Sequence, residues 1–168
     1  MSTIIVQRLN ERVRATLVEH FLGLSARDRH LRFGIPLAQP GIAAYVDRID
    51  LDRDAVIVFQ DEEQGVAGVA HVAIVDDWAE IGLSVLPAHR GFGLGAALFQ
   101  LGAMQVRKRR VPQLFMRFLT ENTPVMRIER RFGMDVVSRA GESDACLKLN
   151  PVVRGDGGKA RNECFRAA

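Results

Sequence analysis

The sequence is poor in the features that mark several special classes of protein. Its 168 residues include only two cysteines, Cys146 and Cys164, which are too few for the disulfide framework of a small secreted domain. The longest uncharged stretch, residues 91–106, contains four glycines and is shorter than the roughly 20 apolar residues of a membrane span. Near the start only residues 4–6 form an apolar run, which is too short for the core of a signal peptide. We therefore expect a cytoplasmic protein that does not bind a membrane.

Length and composition favour one folded domain. Hydrophobic residues make up 48% of the chain and charged residues 26%, the balance of an ordinary globular protein. After Pro151 the sequence consists mainly of glycine and charged residues, with Phe165 as the only aromatic residue. We expect one domain over residues 1–150 and a disordered tail over residues 151–168.

The charge is small in total and uneven along the chain. The formal net charge is +3, but residues 47–80 carry ten Asp or Glu against two Arg, and residues 101–140 carry nine Arg or Lys against three Asp or Glu. Two interpretations stay open, namely ordinary solvated turns and helix ends, or a molecule with an acidic and a basic side. The basic segment shows no nucleic-acid recognition motif, so we expect no nucleic-acid partner.

Apolar periodicity and turn residues predict the order strand, helices, three strands, helix, strand, helix, two strands. Ser25 is the predicted N-cap of a helix that Gly34 ends, and Asn122 and Gly133 delimit the last helix. The closing strands are predicted at residues 134–139 and 146–149, around a turn at residues 141–144. This order predicts an α+β domain with a mixed, mainly antiparallel sheet.

The most informative segment is a strand that runs through a glycine-rich turn into an amphipathic helix, at residues 80–106. Glycines let the backbone approach a ligand closely, and the N–H groups at a helix N-terminus suit phosphate. The glycine spacing is G-x-G-x-G and not the G-x-G-x-x-G of a dinucleotide fingerprint, Phe115 stands where that motif has an acidic residue, and the Gly-Lys-Ser/Thr of a P-loop is absent. The turn is therefore a candidate pyrophosphate site of another kind.

Two motifs in this sequence resemble the GNAT superfamily of N-acyltransferases. Arg90-Gly-Phe-Gly93-Leu-Gly95 matches the R/Q-x-x-G-x-G/A acyl-CoA signature, and residues 122–134 resemble the second family motif, N-x-x-A-x-x-L-Y-x-x-x-G-F. The resemblance implies a GNAT-like fold over residues 3–149, with helices on both faces of a sheet that is splayed at the acyl-CoA site.

The resemblance also implies where acetyl-CoA, the expected cosubstrate, would bind. The pantetheine arm would pair with the backbone of the strand before the turn, the N–H groups of the turn would hold the pyrophosphate, and the Val85 N–H would polarise the thioester carbonyl. The cofactor-binding residues implied are Leu83, Val85, Arg90, Gly91, Phe92, Gly93, Leu94, Gly95, Ala96 and Asn122.

Glu80 is the candidate catalytic base, because an ammonium acceptor must lose a proton before it can attack a thioester. Its spacing to Arg90 resembles that in bacterial protein-lysine acetyltransferases, as does the segment of residues 24–33, and partial burial would make it a stronger base. The alternative is a solvent-facing carboxylate. We interpret His71 as a hydrogen-bonded sheet histidine and not as the base.

One clear departure from the family pattern bears on the chemistry. Glu129 stands where many of these enzymes have the tyrosine that protonates the leaving thiolate, and the only tyrosine, Tyr45, lies outside both motifs. An N-acetyltransferase acting on a protein lysine or a small amine is the favoured function, and a non-catalytic acyl-CoA-binding module is the alternative. No metal is expected, because no His/Cys grouping has metal-ligand spacing. The oligomeric state stays open, a homodimer included.

Overall fold

The computed structural model describes residues 3–7, 11–50, 52–63 and 65–149, so the expected tail at residues 151–168 lies outside the described residues. In chain order the elements are β1 (Thr3–Gln7), α1 (Glu11–Gly23), α2 (Ala26–Phe33), α3 (Gln39–Asp47), β2 (Ala55–Asp61), β3 (Gly65–Val75), β4 (Trp78–Val85), α4 (Leu94–Lys108), β5 (Gln113–Leu119), α5 (Thr123–Phe132), β6 (Asp135–Arg139) and β7 (Glu142–Lys148). This is the predicted element order, and the expected α+β class is confirmed.

The strands form one mixed sheet with the order β1-β2-β3-β4-β5-β7-β6. Neighbouring strands are antiparallel except β4 and β5, which are parallel. A parallel pair needs a crossover connection, and α4 supplies it.

Local sequence signals set the helix ends. The Ser25 side chain accepts a hydrogen bond from the Asp28 N–H at 3.0 Å, and Gly34 closes the same helix with a φ of 78°. At α5, the Asn122 side chain accepts from the Val125 N–H at 3.4 Å, and Gly133 ends the helix with a φ of 62°. All four residues take the capping roles predicted for them.

Helices cover both faces of the sheet, as expected, and each face has its own apolar core. On one face α4 and α5 pack against alternate strand residues, which include Ile57, Ala70, Val72, Ile81 and Leu114. On the other face Leu17 and Phe21 of α1 and Ile42 of α3 pack with strand residues that include Val58 and Val69. Successive side chains of a strand point to opposite faces of the sheet. A polar strand residue on either face therefore lies against a helix or opens into a cleft.

The ladder between β4 and β5 is short. Only three residue pairs are in register, and the last is Glu80 with Phe115, whereas β5 pairs with β7 over seven residues. Beyond that last pair β4 continues to Val85 and β5 to Leu119 without pairing to each other. The expected splay in the sheet therefore begins at Glu80.

The predicted closing turn at residues 141–144 is wrong. The turn is at Ala140 and Gly141, which both have a positive φ, and β7 already begins at Glu142. The polar run after Gly141 resembles a loop in sequence, but it alternates exposed and buried side chains, and Ser143 is buried and hydrogen-bonded to Ser138 at 2.7 Å.

Candidate functional site

The gap between β4 and β5 opens into a cleft of about 540 Å³, here called the glycine cleft because Gly91, Gly93 and Gly95 line it. Its walls are the end of β4, the turn before α4, the first turns of α4 and α5, and α2. The predicted cofactor-binding residues that line it are Leu83, Val85, Arg90, Gly91, Gly93, Leu94, Gly95, Ala96 and Asn122. Phe92 does not line it and is 86% exposed.

The glycine turn leaves backbone N–H groups directed into the glycine cleft. Gly91 and Gly93 have φ values of 85° and 79°, which side chains rarely adopt, and a Cβ at either position would meet no atom within 4 Å. The Ala97 N–H bonds the Gly93 carbonyl at 3.1 Å. The N–H groups of Leu94, Gly95 and Ala96 precede that bond, so α4 itself offers them no acceptor. Together with the helix dipole they suit an anion.

The backbone of β4 also points into the gap at alternate residues. The Leu86 N–H bonds the Ala67 carbonyl of β3 at 2.8 Å, so even-numbered residues at this end of β4 face β3. Because backbone groups of successive strand residues point to opposite sides, the N–H and C=O groups of Leu83 and Val85 face the gap. The Val85 carbonyl already accepts a hydrogen bond from Arg90 Nε at 2.9 Å.

Arg90 connects the turn to α2 as well. Its Nη2 lies 3.0 Å from Asp28 Oδ1 across the mouth of the glycine cleft. Burial raises the pKa of the Asp28 carboxyl, but hydrogen bonds from Arg90 and Ser25 and the charge of Arg90 outweigh burial and hold that pKa below its usual value. This ion pair holds α2 against the glycine turn.

A buried His20–Ser84 pair fixes α1 against β4 behind the glycine cleft. His20 Nδ1 lies 2.8 Å from the Val66 carbonyl, so Nδ1 carries the proton and donates, and Nε2 accepts from the Ser84 hydroxyl at 2.8 Å. Burial lowers the pKa of His20 to about 4, the hydrogen bond to Val66 opposes this, and the charge of Arg32 adds to the lowering. A histidine with so low a pKa is a weak base, so the pair positions β4 and does not activate Ser84 as a nucleophile.

Helix α5 supplies the far wall of the glycine cleft. Asn122 is buried, and its Nδ2 donates to the Leu31 carbonyl of α2 at 3.4 Å. Arg127 and Arg131 line the cleft, and their spacing places both guanidinium groups on one face of the helix. Glu129, at the position of the family tyrosine, does not line the cleft; its carboxylate lies 3.4 Å from Arg130. The basic segment of residues 107–110 does not line it either.

A second cleft of about 610 Å³ lies on the same side of β4 as α2 and α3, and we call it the tyrosine cleft because Tyr45 lines it. Leu31 and Arg32 line both clefts, so the two meet at α2. The charged and titratable side chains in its lining are Arg32, Arg48, His71, Glu80, Arg117 and Glu142. Arg117 donates from Nε to Asp144 at 2.8 Å, and the hydrogen bond and charge of Asp144 raise the pKa of Arg117.

Glu80 lines the tyrosine cleft but is exposed, so the expected partial burial is wrong. Glu80 pairs with Ala73 of β3 and with Phe115 of β5 at the point where the gap begins, and its side chain is exposed to solvent. The sequence suggested burial because the rest of the strand is apolar, but burial alternates along β4 and Ala79 and Ile81 take the covered positions.

Sequence reasoning missed a hydrogen-bonded chain in the wall of the tyrosine cleft. The Tyr45 hydroxyl lies 2.6 Å from His71 Nδ1, and His71 Nε2 lies 2.9 Å from Asp54 Oδ2. Arg32 Nη2 donates to the Tyr45 oxygen at 2.8 Å. His71 is thus a hydrogen-bonded sheet histidine, as interpreted, but its two partners come from α3 and from the residue before β2, and no sequence spacing connects them.

The carboxylate at the end of that chain is held by the backbone. Asp54 Oδ1 accepts the Ile74 N–H at 3.2 Å, and Oδ2 accepts the Asp50 N–H at 3.1 Å. Burial raises the pKa of Asp54, but the hydrogen bond and charge of His71 and these two backbone bonds outweigh it and leave the pKa below its usual value. Asp54 is therefore an ionised, acceptor-only group.

The described part of the chain contains neither a membrane-spanning helix nor a cluster of metal ligands. None of the helices in residues 11–50, 52–63 and 65–149 is long and apolar enough to span a bilayer. Within the same ranges no group of three or more His, Cys, Asp or Glu side chains could hold a metal ion.

Comparison with solved structures gives proteins of similar fold at low sequence identity. The GNAT domain of S. lividans PAT aligns with a TM-score of 0.74 at 17% identity, over 88% of this chain and 90% of that one. A proposed acetyltransferase from Salmonella typhimurium, solved with its cofactor acetyl-CoA, aligns with a TM-score of 0.67 at 17% identity, over 93% and 99% of the two chains. The ribosomal-protein-S18-alanine N-acetyltransferase from Escherichia coli aligns with a TM-score of 0.68 at 16% identity, over 90% and 96%.

The family itself is shown by the sequence. No curated protein sequence matches the chain. The sequence profile of the Acetyltransferase (GNAT) family matches residues 27–134, which is more than half of the chain and runs from α2 to the end of α5. The matched segment contains the splayed strands, the glycine turn and both motifs, and the chain therefore belongs to the acetyltransferase (GNAT) family.

Proposed function

We propose that the protein is an N-acetyltransferase that moves an acetyl group from acetyl-CoA to a primary amine by direct attack on the thioester. The observation that carries this proposal is the junction at the end of β4. At this junction the gap in the sheet meets the N–H groups at the N-terminus of α4. The charged tyrosine cleft adjoins the same place. Family membership supports acetyl transfer in general, and the junction supports an acceptor that enters from the side opposite to the cofactor.

The glycine cleft fits acetyl-CoA. The gap-facing backbone of Leu83 and Val85 can pair with the two amides of a pantetheine arm as a strand would. The Arg90 N–H already donates to the Pro87 carbonyl at 3.2 Å, so the N–H groups of residues 91–96 are the donors offered to a pyrophosphate, and Asn122 joins the opposite wall to α2. Arg127 and Arg131 add positive charge to a cleft that would hold a highly anionic ligand.

The thioester would lie where Val85 ends the strand. A Val85 N–H directed into the gap can donate to the thioester carbonyl, whose oxygen becomes negative when the amine attacks. Arg90 Nε at present occupies the Val85 carbonyl, 2.9 Å away, so pantetheine pairing at that carbonyl requires the Arg90 side chain to move. The ion pair of Arg90 with Asp28 is half-exposed and can be exchanged for a phosphate at small free-energy cost.

The acceptor would occupy the tyrosine cleft. A lysine-like amine has a pKa of about 10.4 and arrives as an ammonium ion. Glu80, at the edge of the gap, is a candidate for receiving its proton. Carboxylates and guanidinium groups both line the cleft, and they suit an acceptor with polar groups of either sign, such as a peptide lysine or a small amine that also carries an anionic group.

The test is release of CoA thiol when acetyl-CoA is mixed with a panel of amines, namely N-acetyl-lysine amide, lysine-containing peptides, amino acids and polyamines. We expect release with at least one class of amine. Glu80→Gln should lower turnover without changing acetyl-CoA affinity if Glu80 is the base, and Glu63→Gln, an exposed acid in the turn between β2 and β3, is the matched control. Acetyl-CoA binding without release for any acceptor would refute the proposal.

The second candidate function is a non-catalytic acyl-CoA-binding module, which would bind acetyl-CoA without releasing CoA thiol for any acceptor. It is favoured by the α5 motif, where Glu129 stands in the tyrosine position and does not reach the glycine cleft. A CoA thiolate is a tolerable leaving group that water can protonate, so a missing tyrosine does not abolish transfer. The same acceptor panel separates the two functions.

A further inference from the structure

We propose that Tyr45, supported by His71 and Asp54, is the group that receives the proton of the acceptor ammonium. The inference rests on the proposed transfer to an amine and names the residues that would serve it. Its basis is the juxtaposition of the Tyr45 phenol, in the wall of the tyrosine cleft, with a hydrogen-bonded chain that ends on a buried carboxylate.

The chain has one direction of hydrogen bonding. Asp54 is ionised and can only accept, so His71 Nε2 carries a hydrogen and donates to it at 2.9 Å. His71 Nδ1 is then the unprotonated nitrogen and accepts from the Tyr45 hydroxyl at 2.6 Å. The Tyr45 oxygen accepts in turn from Arg32 Nη2 at 2.8 Å. A base is thus aimed at the phenolic proton and a cation at the phenolic oxygen.

The surroundings hold this chain rigidly and leave one end open. The side chains of His71 and Asp54 are only 10% and 8% exposed. The Tyr45 ring packs edge-to-face against Phe21, Phe33 and His71, at centroid distances of 5.7, 5.0 and 5.6 Å. Tyr45 is half-buried and lines the cleft, so its oxygen is the member of the chain that a ligand can reach.

The proton transfer balances without any further reactant. The Tyr45 hydroxyl proton moves to His71 Nδ1, and the Tyr45 oxygen takes one proton from the ammonium, so that protonated His71 is paired with Asp54. The neutral amine attacks the thioester carbon, a C–N bond forms, and the C–S bond breaks with its electron pair on sulfur. The thiolate takes the second proton from nitrogen, and His71 later releases its proton to water.

The position of this chain makes it a stronger candidate than Glu80. His71 pairs with Gly82 and Ala73 with Glu80, so all four residues lie on one face of the sheet. Glu80 is an exposed, solvated carboxylate, whereas Tyr45 and His71 are held by hydrogen bonds and ring contacts. Burying polar and charged side chains also costs free energy. Apolar residues of the same volume would stabilise this part of the core at least as well as a chain of Arg, Tyr, His and Asp.

The first experiment compares Tyr45→Phe with wild type in the CoA-release assay, using the best acceptor of the panel. The variant keeps the ring and its packing and removes one hydroxyl. We expect kcat to fall by about 10²-fold or more, while acetyl-CoA affinity stays within twofold. Asp54→Asn, which acts through His71, should lower kcat less and leave KM for the acceptor nearly unchanged. Ser143→Ala, which removes another hydrogen-bonded hydroxyl that lines neither cleft, should keep wild-type kcat.

The second experiment uses the fact that the chain has a single tyrosine. Growth on a fluorinated tyrosine replaces Tyr45 alone with a ring of nearly the same shape and a more acidic phenol. We expect the fluorinated protein to keep most of the activity that Tyr45→Phe loses, and the acidic limb of kcat/KM to move to lower pH. The other charged and titratable groups of the cleft and the chain, which are Arg32, Arg48, Asp54, His71, Glu80, Arg117 and Glu142, are the same in both proteins, so a displacement reports the change at the Tyr45 phenol.

The outcomes separate the two proposals. An active wild type with an equally active Tyr45→Phe overturns the inference and leaves the proposed function intact, as does a fluorinated protein whose pH profile equals that of wild type. A wild type that binds acetyl-CoA but acetylates no amine overturns both. A large loss in Tyr45→Phe at unchanged acetyl-CoA affinity, together with a displaced pH profile, supports the inference.

Discussion

The buried His20 makes the free energy of unfolding depend on pH in a window that the structure defines. Burial lowers the pKa of His20 to about 4 from 6.5, so the folded protein holds this imidazole neutral. As pH falls through 6.5, His20 is protonated in the unfolded chain but stays neutral in the folded protein. The stability contributed by the neutral imidazole is therefore complete above pH 6.5 and is lost progressively toward pH 4.

The size of the effect follows from the two pKa values. Their difference corresponds to about 3 kcal/mol over the whole window, and about 2 kcal/mol of it is lost between pH 7 and pH 5. A domain has a total stability of about 5–15 kcal/mol, so this one side chain would account for a substantial part of any acid sensitivity.

The measurement is urea unfolding at pH 7 and pH 5 for wild type and His20→Gln. Glutamine cannot be protonated, so the variant should lose about 2 kcal/mol less than wild type between the two pH values, whatever its stability at pH 7. His30→Gln removes an imidazole whose side chain is 41% exposed and should retain the wild-type difference. Equal losses for wild type and His20→Gln would show that His20 accepts a proton in the fold, and the reasoning would be refuted.

Three further substitutions test other parts of the structure. Gly93→Ala places a side chain at a φ of 79°, so thermal unfolding should show a stability lower by about 1 kcal/mol. Calorimetry should show weaker acetyl-CoA binding, and unchanged affinity would contradict a role for the turn in binding. Gly82→Ala places a Cβ against the Arg32 guanidinium, which must move away, so we expect lower turnover with little change in melting temperature; unchanged turnover would count against a role for Arg32 in the reaction. Asp28→Asn removes the half-exposed pair with Arg90 and should destabilise by at most about 1 kcal/mol in urea unfolding, a difference that high salt should abolish.

Much of the fold follows from local rules. Ser25, Gly34, Asn122 and Gly133 cap their helices through hydrogen bonds and backbone angles that depend only on nearby residues, so the helix ends are readable from the sequence. The turn at Ala140 is different, because a non-glycine residue with positive φ is rare and the polar residues after it resemble a loop. The strand pairing with β5 decides where that turn lies, and pairing is not visible in local sequence.

The site divides in the same way. The glycine turn is continuous in sequence, so its motif alone predicts the cleft-lining residues of the segment 90–96, of which Phe92 is the one that does not line the cleft. Tyr45, Asp54 and His71 come from a helix, the residue before a strand and a second strand, and only the β2–β3 register brings the last two together. The burial of Glu80 could not be predicted because it depends on where the β4–β5 ladder ends, which is a property of the whole sheet.

The short ladder between β4 and β5 has a consequence for how the molecule opens. With three registered pairs, the strands on either side are joined at one end and separated at the other, so β1–β4 and β5–β7 are expected to exchange their amide hydrogens as two blocks with different opening free energies. A pantetheine arm that pairs with β4 would extend the sheet like an additional strand and join the blocks along the seam. Acetyl-CoA would then slow amide hydrogen exchange at residues of β4 and β5 that it does not contact, because the bound substrate would join the two blocks of the sheet.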